Sequence, residues 1–271
     1  AGSICGSDLH IYKWSEWART RIRPPMTIGH ELAGEVEALG DGVEGFATGQ
    51  VVSIEGHIVC GRCSLCRTGQ AHICPRMEIL GVDRDGGFSE RIRVPASNLW
   101  KIDPGIPIEI AALHDALGNA FHTVLLNPVA GKVVLVLGCG PIGLMACAIA
   151  RASGAERVFA TDINPRRLAI AERMGADVRV DSSRQDPVKA VREATEGIGA
   201  DVVMEMSGAP AAVQQALAAV RNGGEVRLLG IPSGAVPIEL ARDVIFKGIS
   251  VEGVIGRRMY ETWYQMRSYL R

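Results

Sequence analysis

The sequence predicts an α/β protein of two domains, an irregular and mostly β domain followed by a doubly wound parallel sheet. Three observations carry this prediction. The chain has 271 residues, more than one domain usually holds. Its texture changes at Lys132, from Gly-, His- and Cys-rich sequence to apolar runs alternating with helical stretches. A glycine-rich turn, Gly138-Cys-Gly140-Pro-Ile-Gly143, directly follows the first of those runs.

The first domain is assigned to residues 1–128. Short β-like runs are expected at Gly34–Leu39, Gln50–Glu55 and Phe88–Val94. Turn signals at Gly40-Asp-Gly42, Asp85-Gly-Gly87 and Asp103-Pro-Gly105 separate them, as in an irregular β domain. The second domain, residues 129–256, carries six strand-like runs: Val133–Leu137, Arg157–Thr161, Val178–Val180, Val202–Met204, Val226–Leu229 and Ile249–Val254. Strands separated by helices form a parallel sheet with crossover helices, and six of them fit a Rossmann-type sheet. Residues 257–271 form a helix-like run with no evident stop. The chain shows no internal repeat and no low-complexity segment.

Hydrophobic residues make up 47% of the chain, with many glycines, which suits a packed α/β protein and argues against disorder. A formal net charge of −1 with no basic run argues against nucleic acid and anionic membranes as partners. The most apolar stretch, Val133–Ala150, is broken by glycines and a proline and does not read as a membrane span. With no signal peptide visible, the cytoplasm is the expected location. The chain begins at Ala1 within a motif, so it reads as an internal piece of a longer protein.

Four of the seven cysteines form Cys60-x2-Cys63-x2-Cys66-x7-Cys74. Thiolates at this spacing can converge from one loop onto a tetrahedral zinc; the alternatives are buried core cysteines or two disulfides. A closed four-thiolate zinc builds a lobe and does no chemistry. In the glycine turn, Gly138 permits the tight bend, Gly140 lets a pyrophosphate approach the backbone, and Gly143 lets helix and strand pack closely. Asp162 ends the next strand, where a carboxylate holds the ribose diol of NAD and repels the 2′-phosphate of NADP. The alternative for Asp162 is a helix cap at Asp162-Ile-Asn-Pro.

Cys5, His30 and Glu31 supply a thiolate, an imidazole and a carboxylate, a set that suits a catalytic zinc with one open position. Singly, each has a plain alternative: a core cysteine, a satisfied buried histidine, a solvated strand residue. Together, Cys5-Gly-Ser-Asp-Leu-His10, Gly29-His-Glu31, the four-cysteine loop and the glycine turn resemble the zinc-dependent medium-chain dehydrogenases, in order and in spacing, over essentially the whole chain. Ile4–Trp17, Glu55–Cys60, Gly118–Thr123, Glu205–Pro210, Phe246–Gly248 and Gly256–Tyr264 are most similar to the threonine-oxidising branch. Polyol and butanediol dehydrogenases share the zinc and Rossmann motifs.

The resemblance implies a GroES-like catalytic domain, incomplete here, with a structural zinc lobe at 60–74 and an NAD-binding Rossmann domain. The segment 257–271 would begin a return to the first domain. It implies two Zn2+ per chain, one held by Cys5, His30 and Glu31, the other by Cys60, Cys63, Cys66 and Cys74. Asp8 would orient His30, Ser7 and His10 would relay the substrate proton, and Asp115 would be an acid near the catalytic zinc. Ile142 and Arg167 would touch NAD, while Leu229, Gly230, Ile231, Val254 and Ile255 would flank its nicotinamide. His57 is assigned to a small-molecule substrate, with packing as the alternative. A homotetramer is expected. One departure is His114-Asp-Ala-Leu117, where the family carries an acid followed by Pro-Phe; His114 is read as a stray ligand or a surface residue. The competing readings are a sibling enzyme acting on a diol or polyol, and a zinc-stabilised nucleotide-binding fragment without turnover.

Overall fold

The computed structural model describes residues 1–270. They pack as two compact units: Ala1–Gly118 with the segment from Arg257 onward, and Asn119–Gly256.

The first unit contains β1 (Gly2–Ser3), α1 (Gly6–Tyr12), α2 (Glu16–Arg21), β2 (Glu31–Glu35), β3 (Val51–Ile54), β4 (His57–Ile58), α3 (Ser64–Arg67), β5 (Glu78–Ile79), β6 (Leu99–Lys101), α4 (Ile108–Ala112) and the start of α5 (His114–Val124). Strands β1, β2, β3 and β6 form one antiparallel sheet in that order. Its apolar face buries Leu32, Ile54 and Leu80, with Ile58, Ile92, Val94 and Leu99 against them. A second ladder pairs His57 with Ile79 and Ile58 with Glu78. The cysteine loop leaves and returns through this two-rung neck.

Two expected strands differ. The run placed at Gly34–Leu39 pairs instead over Glu31–Glu35, because Glu31 and Leu32 are already in register with Ser3 and Gly2 of β1. Phe88–Val94 is not a strand. The Phe88 N–H bonds Ile28 O, and the segment is held beyond that point by burying Ile92 and Val94 rather than by a ladder.

The second unit contains β7 (Val133–Leu137), α6 (Pro141–Ala152), β8 (Arg157–Asp162), α7 (Pro165–Arg173), β9 (Val178–Asp181), α8 (Pro187–Ala194), β10 (Ala200–Glu205), α9 (Pro210–Ala219), β11 (Val220–Leu228) and β12 (Ser250–Gly253). All five pairings are parallel, in the order β12-β11-β10-β7-β8-β9. The winding reverses between β7 and β10, where a doubly wound sheet opens its ligand crevice. Val134–Leu137 of β7 are all buried, as a central strand covered on both faces requires. Helices α6 to α9 each open with proline in their first turn, where the missing N–H leaves no bond unmade. Arg227 is fully buried in β11 and closes the C-terminal end of α5, donating to Thr123 O, Val124 O and Asn127 O. Back in the first unit, α10 (Glu261–Tyr269) buries Trp263 and Met266. No described helix is long and apolar enough to cross a membrane.

Candidate metal centres and dinucleotide edge

The four thiols of the loop converge. Cys60, Cys63, Cys66 and Cys74 offer ligand atoms that all lie within 4.8 Å of one another. The measured Sγ···Sγ separations are 3.9 Å for Cys60–Cys66, 3.9 Å for Cys63–Cys74 and 3.6 Å for Cys74–Cys60. A tetrahedral zinc with Zn–S bonds of about 2.3 Å has sulfur edges of about 3.8 Å. A disulfide needs about 2.05 Å, so all seven cysteines are free thiols. The thiols are unequal. A hydrogen bond from Arg76 Nη2 at 3.1 Å brings Cys60 down to about 5, whereas burial and the neighbouring thiols push Cys66 up to about 12. A divalent cation would hold all four as thiolates.

The second cluster joins two segments. Cys5 caps the N-terminus of α1, while His30 and Glu31 lie at the entry to β2. Their ligand atoms also fall within 4.8 Å of one another. The Asp8 carboxylate accepts the Cys5 N–H at 2.9 Å through Oδ2 and presents Oδ1 to His30 Nδ1 at 4.0 Å. Those last two atoms, and Ser7 Oγ, are buried without hydrogen-bond partners. Glu31 is buried, not solvated, and accepts the Ser3 hydroxyl. Burial and the Glu31 charge push the Cys5 thiol up to about 12; burial and the Asp115 charge raise Glu31. An opposite charge among these buried donors would reverse both shifts, and the donor set fits a tetrahedral zinc with three protein ligands.

Asp115 is buried at the start of α5, with Arg257 Nη1 2.8 Å from Oδ2. Arg257 also bonds Glu55, through Nε at 3.0 Å and through Nη2. Glu55 in turn receives the backbone N–H of His57 at 2.9 Å and lies 2.9 Å from its Nδ1, which fixes the imidazole at the neck of the cysteine lobe. This Asp115–Arg257–Glu55–His57 chain was not foreseen as a unit, because Glu55 and Arg257 are 202 positions apart. His114 is neither a ligand of the two clusters nor a surface residue. It is buried, with its ring edge-on to Trp263 at 5.5 Å and Nδ1 3.3 Å from Ile110 O, and burial lowers its pKa. His10 is exposed, its ring 6.3 Å from that of Trp17.

In the second unit the expected cofactor residues line the C-terminal edge of the sheet. Gly138 has φ +98° and a Cβ there would lie 2.7 Å from Ser207 Cβ; one on Gly143 would lie 1.9 Å from Gly138 O. A Cβ on Gly140 meets nothing within 4 Å, which leaves its backbone approachable. Asp162 is not a helix cap: Asn164 caps α7 by accepting Arg166 N–H. The Asp162 carboxylate instead accepts Cys139 N–H at 2.9 Å from the glycine turn and Asn164 N–H at 2.8 Å, with Arg167 Nη1 3.6 Å away. Leu229–Ile231 follow β11, and Val254–Ile255 follow β12; Ile231 and Ile255 are exposed. Ile142 lies in the first turn of α6.

A four-thiolate lobe, a converging Cys–His–Glu cluster and a dinucleotide-type edge define a zinc-dependent dehydrogenase of the medium-chain class. Residues 1–104 match the alcohol dehydrogenase GroES-like domain and residues 141–270 the zinc-binding dehydrogenase family. The chain belongs to that zinc-binding dehydrogenase family. It is 51% identical over 271 residues to the L-threonine 3-dehydrogenase of Symbiobacterium thermophilum, covering 100% of this chain and 77% of that protein. Among solved structures it resembles the alcohol dehydrogenase TADH from Thermus sp. ATN1, with a TM-score of 0.89 and 32% identity over 98% of this chain and 78% of that one. It also resembles a zinc-binding dehydrogenase from Sinorhizobium meliloti 1021 bound to NADP, with a TM-score of 0.87 and 32% identity over 94% and 75%.

Proposed function

We propose that this protein oxidises the secondary hydroxyl of L-threonine to 2-amino-3-oxobutanoate, with NAD as hydride acceptor and a zinc ion held by Cys5, His30 and Glu31. The observation that carries the reading is the convergence of those three ligands, two of them buried, in a chain whose relatives are named L-threonine 3-dehydrogenase. Zinc there would supply Lewis acidity, drawing the pKa of a bound hydroxyl from roughly 16 toward neutrality. The nicotinamide ring would accept the hydride.

The chain's own residues do the rest. Asp8 faces His30 Nδ1 and so leaves Nε2 for the metal. Ser7, its Oγ buried beside Cys5, takes the proton from the substrate oxygen, and the exposed His10, one turn on in α1, passes it to solvent. His57, held by Glu55, offers its other nitrogen to the substrate. Asp162 accepts the ribose hydroxyls and selects NAD over NADP. Leu229–Ile231 and Val254–Ile255 flank the nicotinamide, and Ile142 and Arg167 contact the remainder. A second zinc in the cysteine lobe is structural. The test is NAD reduction with L-threonine, 2,3-butanediol and sorbitol, with and without a chelator. Threonine is expected to be turned over fastest and the chelator to abolish it. Activity after complete zinc removal, or a preference for a diol, would overturn the reading.

A further inference from the structure

Glu205 ends β10, the strand at which the sheet's winding reverses, and its side chain is fully buried. A buried carboxylate costs several kcal/mol unless hydrogen bonds satisfy it. Here Oε1 alone does so, accepting Ser207 N–H at 2.9 Å, Ser207 Oγ–H at 2.5 Å and Gly208 N–H at 2.9 Å. The backbone oxygen of Glu205 accepts both Leu229 N–H at 3.0 Å and Gly230 N–H at 3.1 Å. One residue thus holds the turn after β10 with its side chain and the loop after β11 with its backbone.

The turn it holds fills a gap with no slack on either side. Toward β7, Ser207 lies against Gly138, where an added Cβ would come within 2.7 Å of Ser207 Cβ and 3.0 Å of its backbone N. Toward β11, Gly208 has φ +69°, and a Cβ there would lie 2.6 Å from Ile231 O. Gly230 closes the arrangement: a Cβ on it would meet Gly208 N at 2.2 Å and Glu205 Oε2 at 2.3 Å. Three glycines from three strand ends pack in and around the turn that Glu205 holds.

We infer that Glu205 is a positioning residue for the dinucleotide, holding Ser207–Gly208 as a spacer between the pyrophosphate turn at Gly138 and the nicotinamide-side loop Leu229–Ile231. This rests on the NAD reading above. Asp162 ends β8, beyond β7 from Glu205; it is bonded by Cys139 of the glycine turn and by Asn164, and by no residue of the spacer. Glu205 therefore acts on the phosphate and nicotinamide portions of the ligand and leaves adenosine recognition alone.

The experiment measures dissociation constants for NAD and for adenosine, which lacks phosphates and nicotinamide, in wild type and variants. Glu205→Asp draws the acceptor back by one methylene and is expected to weaken NAD about tenfold, the scale of one charge-assisted hydrogen bond, with adenosine unchanged. Glu205→Gln keeps an acceptor in place and is expected to stay within about threefold of wild type. Gly208→Ala, which forces the turn off Ile231, is expected to show the same selective loss and serves if Glu205→Asp does not fold. Normal NAD binding by either folded variant, or equal losses for NAD and adenosine, would overturn the inference. A wild type that binds no NAD would instead sink the cofactor reading itself.

Discussion

Arg257 offers the sharpest test of how the first unit is held together. It is fully buried, its guanidinium 5.6 Å from the ring of Trp263, and it bonds Glu55 and Asp115 at once. Burial alone would raise the Glu55 pKa, but Arg257 and the bonds from His57 hold it at about 2, against an ordinary 4.5. A shift of that size amounts to about 3 kcal/mol. Because the folded pKa is the lower one, this stabilisation is complete above pH 4.5 and is lost as the pH falls through about 2. Arg257→Met keeps most of the stem and removes the charge, leaving two buried carboxylates facing each other. The expected cost at pH 7 is about 3–5 kcal/mol, read from urea unfolding of the zinc-loaded protein. The pH dependence should also change sign. Uncompensated burial raises the carboxylate pKa values, so the variant takes up protons on folding and its deficit shrinks as the pH is lowered toward about 5. Adding Glu55→Gln should recover part of the loss, since a neutral amide needs no countercharge. A deficit below about 1 kcal/mol, or one that does not shrink on acidification, would refute the reasoning.

Two further predictions concern the metals and the cofactor. Elemental analysis should find two zinc ions per chain; Cys63→Ser should lose one of them and lower stability by about 2 kcal/mol or more, while Cys5→Ser should lose the other and abolish turnover with a smaller effect on Tm. Wild type with a single zinc would remove the case for one of the two centres. Asp162→Ser should raise the KM for NAD about tenfold and narrow the preference over NADP. Because Asp162 also accepts Cys139 N–H and Asn164 N–H, Tm is measured alongside. An unchanged KM for NAD would count against its ribose contact.

Local chemistry made much of this molecule readable in advance. Each glycine of the turn has its own reason in the structure: a positive φ at Gly138, open space at Gly140, a forbidden Cβ at Gly143. The six strands of the second unit follow from apolar runs short enough to be nothing else. What escaped was long-range. His114 looks like a surface imidazole until α10, roughly a half-chain away, covers it with Trp263. Phe88–Val94 has strand composition, but its place is decided by the cluster around Leu32 and Leu80, which no local pattern reveals. Glu205 and Arg257 both stood in motifs that marked the family. Their work, joining strand ends and pairing charges across 202 positions, exists only after folding.

The neck of the cysteine lobe joins the four-thiol loop to the strand that carries His57. Residues 59–77 are closed by two rungs, and one rung is His57 paired with Ile79. So short a ladder has little stability of its own, and besides the bonds that Asn98 and Glu55 make to His57 it would be steadied by a metal clamping the loop beyond it. Without such a metal the rung from which the His57 imidazole projects would be more open to fraying. A zinc held by the four thiols would thus act as a latch for the imidazole proposed to meet substrate, and its loss would be read in altered substrate selection as well as in lower stability.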